Sequence, residues 1–290
     1  MSANQGELTF ELDYRPPYDW AAMLAFLATR SITGVEAVEG SFYRRTVKAT
    51  TAARQSSGWI EVTAVNTKHA LRVTLSCALA DAVPWVLARV QCLLDLSCEP
   101  EQVAASLGSL AKHNPGIRVP RAFDGFEMSV RAVLGQQVTV AAARTLAGRI
   151  AARYGEALDT RFAALTHTFP APEIIAAAPA EDIGRLGIIR TRVATIQALA
   201  AAIRDGELTL EPGVAIQATI EKLRTLPGIG EWTAQYIAMR ALAWPDAFPH
   251  TDLGVIKALG LRRPAQVLAA AEAWRPWRSY AVMHLWRTLK

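Results

Sequence analysis

The hydrophobic repeat of this 290-residue chain changes period once, near Pro84, and that change limits the folds open to it. Before it, apolar residues alternate with polar ones. In LTFEL, Leu8, Phe10 and Leu12 are each separated by one polar position, the two-residue repeat of a half-buried strand. Pro16 and Pro17 stop that strand, and Asp19 is placed to cap a helix over about residues 20–29, with Met23, Leu24 and Leu27 on one stripe. Further strand patterns run over 35–48, and WIEVTAV and ALRVTLSCAL flank the polar turn Asn66-Thr67-Lys68-His69 as a hairpin. After Pro84 the period becomes 3.6, and the spacing predicts helices over 85–96, 101–112, 125–134, 139–154, 172–178 and 191–205, with the loop HNPGIRVP at 113–120. The expected fold class is α+β: a small antiparallel sheet with helices in a mixed N-terminal domain, 1–84, followed by a mostly all-helical domain, 85–290. Residues 1 to about 80 offer none of the residue types of a reaction centre.

A hydrophobic content of 51% with 20% charged residues fits a globular chain rather than a disordered one. The longest apolar runs, 194–203 and 85–90, are far shorter than the roughly 20 residues a membrane span requires, so no membrane association is expected. The stretch MSANQGELTFELDY has neither a basic n-region nor an apolar h-region, and the cytoplasm is the expected location. Cys77, Cys92 and Cys98 form no CxxC pair, which predicts reduced thiols and neither zinc nor an iron–sulfur centre.

The chain carries 31 Lys and Arg against 26 Asp and Glu. Residues 221–290 hold ten of the former and five of the latter, a surplus equal to that of the whole chain. A positive field concentrated there is either a solvated basic face or the footprint of a polyanion. The same segment contains LPGIGEWTAQYIAMRALAWPDAFPHTD, residues 226–252. Upstream, Ile216, Ile220 and Leu223 make one apolar helix face; downstream, Ala234, Ile237, Ala238, Ala241 and Leu242 make another. Pro227 is expected to end the first helix, and Gly228 and Gly230 to give the turn its backbone freedom. A dinucleotide fingerprint would need a preceding strand and a third glycine, and a P-loop would need Gly-Lys-Ser/Thr; neither is present. What remains is a helical corner, or a hairpin whose backbone N–H groups meet a phosphate at a helix start.

LPGIGEWTAQYIAMRAL followed by PHTD resembles the helix–hairpin–helix and following aspartate of the helix–hairpin–helix DNA glycosylases. With YRPPYDWAAMLAFL, VRAVLGQQVTVAAA and WRPWRSYAVMHLW, the similarity extends over nearly the whole chain to the 3-methyladenine DNA glycosylase II group. The resemblance implies two helical lobes with a cleft between them, after a mixed N-terminal domain. It implies a monomeric enzyme that takes alkylated bases out of double-stranded DNA.

Trp232 and Tyr236 lie four residues apart and share a helix face, and the resemblance assigns both, with Trp286, to the base pocket. Aromatic faces attract a base made cationic by alkylation. For Trp274 and Trp277 core packing is the favoured reading. Asp252 reads as the N-cap of LGVIKAL and, through the resemblance, as the catalytic carboxylate; a helix N-terminus favours its ionised form, so the two roles are compatible. A fixed carboxylate stabilises the sugar cation that forms as the N-glycosidic bond breaks. Bifunctional members of the superfamily carry a lysine at the hairpin position occupied here by Trp232, which implies a monofunctional enzyme with no Schiff base.

The resemblance places the DNA-binding hairpin at Leu226, Pro227, Gly228, Ile229 and Gly230, and the wedge loop at Gln136 and Gln137, where a leucine is common at the position of Gln137. It requires no cofactor and implies a structural sodium or potassium ion on the backbone carbonyls of Arg224, Leu226 and Ile229. His250 is given no catalytic role. Rival readings are a DNA-binding module that uses the hairpin without catalysis and a glycosylase for oxidised or deaminated bases.

Overall fold

A computed structural model describes residues 6–50 and 54–289. Strands β1 (Glu7–Asp13), β2 (Glu36–Glu39), β3 (Phe42–Thr50), β4 (Gln55–Val65) and β5 (Ala70–Ser76) form one antiparallel sheet in the order β1-β5-β4-β3-β2. Val65 pairs with Ala70, so the expected turn Asn66–His69 closes the β4–β5 hairpin. Along β1, Leu8, Phe10 and Leu12 face the apolar core while their neighbours face solvent, as the alternation requires.

Helix α1 (Trp20–Arg30) begins where Asp19 accepts a hydrogen bond from the Ala22 amide at 2.8 Å. It is buried on two sides. Met23, Leu24 and Leu27 enter the core over the sheet, and Phe26 enters the core of the helical part. Helix α2 (Val83–Leu93) also serves the sheet, through Val86, Val90 and Leu93, and Phe123 joins the same core. Hydrophobic period thus changes near residue 84, while the sheet-centred core draws on side chains well beyond it.

The helical part follows with α3 (Pro100–Leu107), α4 (Gly125–Leu134), α5 (Val140–Tyr154), α6 (Pro172–Ala177), α7 (Ala180–Gly184), α8 (Arg190–Arg204), α9 (Ile216–Thr225), α10 (Glu231–Arg240), α11 (Leu253–Leu259), α12 (Pro264–Ala271) and α13 (Arg278–Arg287). Helix α4 is buried almost all round and packs on α5, α8 and α10, so it is the axis of this part. Helix α3 stops short of the expected residue 112 because Gly108 turns left-handed, at φ +55°. The five residues of α7 are too few to show a period in sequence.

Between sheet and helices lies a buried ionic joint. Arg45 of β3 donates to Glu127 of α4 at 2.7 Å, and Arg131, one turn further along α4, reaches Glu36 of β2 at 2.9 Å. Tyr43 completes the joint with a 2.7 Å hydrogen bond to Glu36. Among the described residues no helix is long and apolar enough to cross a membrane.

Candidate active site

Helices α9 and α10 meet in the glycine turn. Helix α9 ends at Thr225 rather than at Pro227, because Leu226, which precedes the proline, is driven into the extended region at ψ 140°. Only one of the two glycines needs its freedom. Gly228 is left-handed at φ +77°, and a Cβ there would lie 2.2 Å from the Thr195 hydroxyl oxygen. Gly230 is extended at φ −89°, and a Cβ would meet nothing within 4 Å, which corrects the expectation that both glycines are conformational. That open space lies at the start of α10, where no side chain caps the first turn and its backbone N–H groups are free for an incoming group. Buried Ile229 anchors the turn in the core.

The turn is braced from the α4–α5 loop. Gln136 donates to the Gly228 carbonyl and to the Thr233 hydroxyl, both at 2.9 Å, while its own backbone carbonyl accepts from Arg192. Gln137 beside it is exposed and left-handed at φ +54°, an uncommon state for a residue other than glycine.

A cavity of about 340 Å³ opens next to this pair of loops. One wall is built from α4 and α5, the other from Trp232 and Tyr236 of α10, Trp286 of α13 and Asp252 at the start of α11. The Trp232 and Tyr236 rings stack at 5.2 Å with 7° between their planes; Trp286 lies 6.3 Å from Tyr236, tilted by 51°. Sequence reasoning therefore finds these four residues together, although Trp286 is far away in the chain.

Asp252 is the N-cap of α11, accepting from the Val255 amide at 3.0 Å through Oδ1. The Trp286 indole N–H donates to the same oxygen at 2.8 Å, and the Trp232 indole N–H donates to Oδ2 at 2.9 Å. The two tryptophans are thus more than walls: they fix the plane of the carboxylate. Gly254 makes this approach possible, since a Cβ at that position would sit 2.9 Å from Trp286 Cδ1 and 3.0 Å from Asp252 Oδ1.

Behind the aromatic wall, Arg240 donates to the Tyr236 hydroxyl at 2.8 Å. Burial works to raise the Tyr236 pKa, but Arg240, Arg30 and Arg131 outweigh it and make the phenol more acidic than usual. Burial in turn lowers the Arg240 pKa to about 10, against the pull of Tyr236. Arg30 and Arg131 also line the cavity, so α1 of the N-terminal part contributes to the site, contrary to the sequence expectation. Nothing in the sequence marked Gly254, Arg30 or Arg131, which matter only through neighbours distant in the chain.

His250 lies in the turn before Asp252, its amide bonded to the Phe248 carbonyl at 2.8 Å. Trp274 and Trp277 pack against the helical core, in agreement with the structural reading. The basic surplus of residues 221–290 is largely consumed internally. Lys222, Arg224, Arg275, Arg278 and Arg287 pair with acids, and Arg240 is buried. Among the described residues of that segment, the unpaired exposed cations are Lys257, Arg262 and Arg263, clustered around the end of α11.

Helices α9 and α10, with the turn that Gln136 braces between them, form a helix–hairpin–helix. The chain belongs to the HhH-GPD superfamily of base excision DNA repair proteins, whose pattern matches residues 130–274; an AlkA N-terminal domain pattern matches 9–124. It is 38% identical to DNA-3-methyladenine glycosylase 2 of Escherichia coli over 279 residues, covering 96% of this chain and 97% of that one. It is 39% identical to the probable bifunctional transcriptional activator/DNA repair enzyme AlkA of Mycobacterium tuberculosis, matching along its whole length 58% of that longer protein. The fold is shared with the 3-methyladenine DNA glycosylase from Archaeoglobus fulgidus, with a TM-score of 0.80, 20% identity and coverage of 96% and 97%.

Proposed function

We propose that this chain is a monofunctional DNA glycosylase that extrudes alkylated bases of the 3-methyladenine and 7-methylguanine type from double-stranded DNA and hydrolyses their N-glycosidic bond. The observation that carries the proposal is the Asp252 carboxylate, held by three neutral N–H donors at an aromatic cavity beside the open hairpin. Backbone N–H groups at the start of α10 take a phosphate of the DNA strand. The extruded base enters against the aromatic wall of Trp232, Tyr236 and Trp286, and Gln137, exposed at the loop tip, fills the vacated stack.

As the bond from C1′ to the base nitrogen breaks, its electron pair leaves with the base and C1′ becomes cationic. Asp252 stabilises that cation and orients the water whose oxygen bonds to C1′. An alkylated, cationic base leaves neutral and needs no acid, so one carboxylate suffices. One proton of the water stays on the new C1′ hydroxyl, the other goes to solvent, and the product is an abasic site. Trp232 at the hairpin position, and a cavity lining without lysine among the described residues, support hydrolysis over strand-cutting chemistry.

A sodium or potassium ion fits the carbonyls of Arg224, Leu226 and Ile229. Those of Arg224 and Leu226 belong to the last turn and C-cap of α9, the negative end of its dipole, and among the described residues the Leu226 oxygen accepts a long 3.3 Å bond from the Ile229 amide. Such an ion would brace the turn. We further propose a monomer acting in the cytoplasm; of the exposed large apolar residues described, Val138 and Val140 line the cavity and Leu253 adjoins Asp252.

The test is incubation of methylated duplex DNA with the wild type and with Asp252→Asn, scoring free 3-methyladenine and 7-methylguanine. Release by the wild type alone is expected. No release by either rejects the glycosylase reading in favour of a binding module, and equal release by both rejects the role of Asp252. Borohydride trapping of a covalent DNA complex would overturn the monofunctional assignment.

A further inference from the structure

Aromatic faces accept any flat base, so discrimination between bases must come from polar groups that reach the base edge. In this cavity nearly all such groups are engaged. Both indole N–H groups are spent on Asp252, and the Tyr236 hydroxyl is bonded to Arg240. Arg131 is held by Glu36 and by the Arg30 carbonyl. Arg30 lies over the Phe26 ring at 3.8 Å and donates to the Thr29 hydroxyl at 2.9 Å.

Arg144 differs. With Val140, Ala143 and Ala147 it forms the i, i+3, i+4, i+7 stripe of α5 that lines the cavity. It is exposed, and it is the one polar side chain of the lining that has neither a hydrogen bond nor an ion pair among the described residues. Its planar fork of N–H donors matches two adjacent acceptors, such as a carbonyl oxygen and a neighbouring ring nitrogen, and is mismatched to an exocyclic amine.

We infer that Arg144 is the specificity-determining residue of the cavity, reading the edge of the extruded base and favouring purines that present a carbonyl oxygen beside an unmodified ring nitrogen. The inference rests on the glycosylase reading above. Hypoxanthine has that edge; 3-methyladenine presents an amine in place of the oxygen and is cationic as well, which Arg144 opposes.

The experiment compares wild type, Arg144→Met and Arg144→Lys in excision of hypoxanthine and of 3-methyladenine from duplex DNA, each at two salt concentrations. The expected result is a loss of roughly tenfold or more in kcat/KM on hypoxanthine for Arg144→Met, with a change of about twofold or less on 3-methyladenine. Arg144→Lys, a point charge without the fork, recovers only part of the loss. Equal losses on both bases with a shallower salt dependence identify a phosphate contact and overturn the inference. Unchanged rates on both bases, or a wild type that releases 3-methyladenine but no hypoxanthine, overturn it too. Failure of the glycosylase reading is seen separately, as absence of 3-methyladenine release by the wild type.

Discussion

Asp252 and the pair Glu36 and Glu127 are all carboxylates fixed by several donors, but the donors differ in kind. Glu36 and Glu127, 5% and 3% exposed, are neutralised by Arg45 and Arg131. Burial acts to raise the Glu36 pKa, and Arg131 and Arg45 overcome it and hold the group low. Asp252 has no ion pair among the described residues; its three donors are two indoles and one backbone amide. Matched charge locks the sheet to the helices. An anion held by neutral dipoles keeps its charge available for a cation that forms only during reaction.

The sharpest way to break this contrast is at the joint. Glu127→Gln leaves Arg45 with a weakened partner in a dry site and is expected to cost about 3–5 kcal/mol, measured by urea unfolding. At the other pole, Asp252→Asn keeps the shape of the cap and is expected to lower single-turnover excision about 10²–10³-fold with little change in unfolding midpoint. Trp286→Phe keeps an aromatic wall and removes one donor from the carboxylate; excision should fall about tenfold, and no change would show that the indole bond is not needed. In acid the joint should fail through Glu36. Because its folded pKa lies below its unfolded one, its contribution is complete above the ordinary value of 4.5 and is lost as pH falls through the folded value. A thermal midpoint that stays level through that descent would contradict the assignment. The smallest effect is expected at the surface: each neutralisation among Lys257, Arg262 and Arg263 should flatten the salt dependence of DNA binding by about one charge.

Features set by local sequence were legible without coordinates. The bounds of α4, the Asn66–His69 turn, the cap at Asp19 and the cap at Asp252 follow from periods and from residue types at fixed offsets. The grouping of Trp232, Tyr236, Trp286 and Asp252 was legible through family resemblance. What escaped depends on contacts across the chain. The indole bond from Trp286 to Asp252 spans 34 positions, and Gly254 gains its meaning only from that bond. Arg131 gains its place only when the sheet sets Glu36 beside it, and Arg30 only through the cavity that it lines. The basic surplus misled in its extent, because a count of charges does not tell which are cancelled by neighbours.

The Gln136 amide touches both the carbonyl of Gly228 and the first turn of α10, while its neighbour Gln137 forms the loop tip. The proposed grip on the strand and the proposed plug for the empty stack are therefore jaws of one caliper, set at a fixed opening. A duplex whose base has not moved has no void for the second jaw when the first has closed. Through that spacing a damaged, loosely stacked base is sensed as a distance before any atom of it is read.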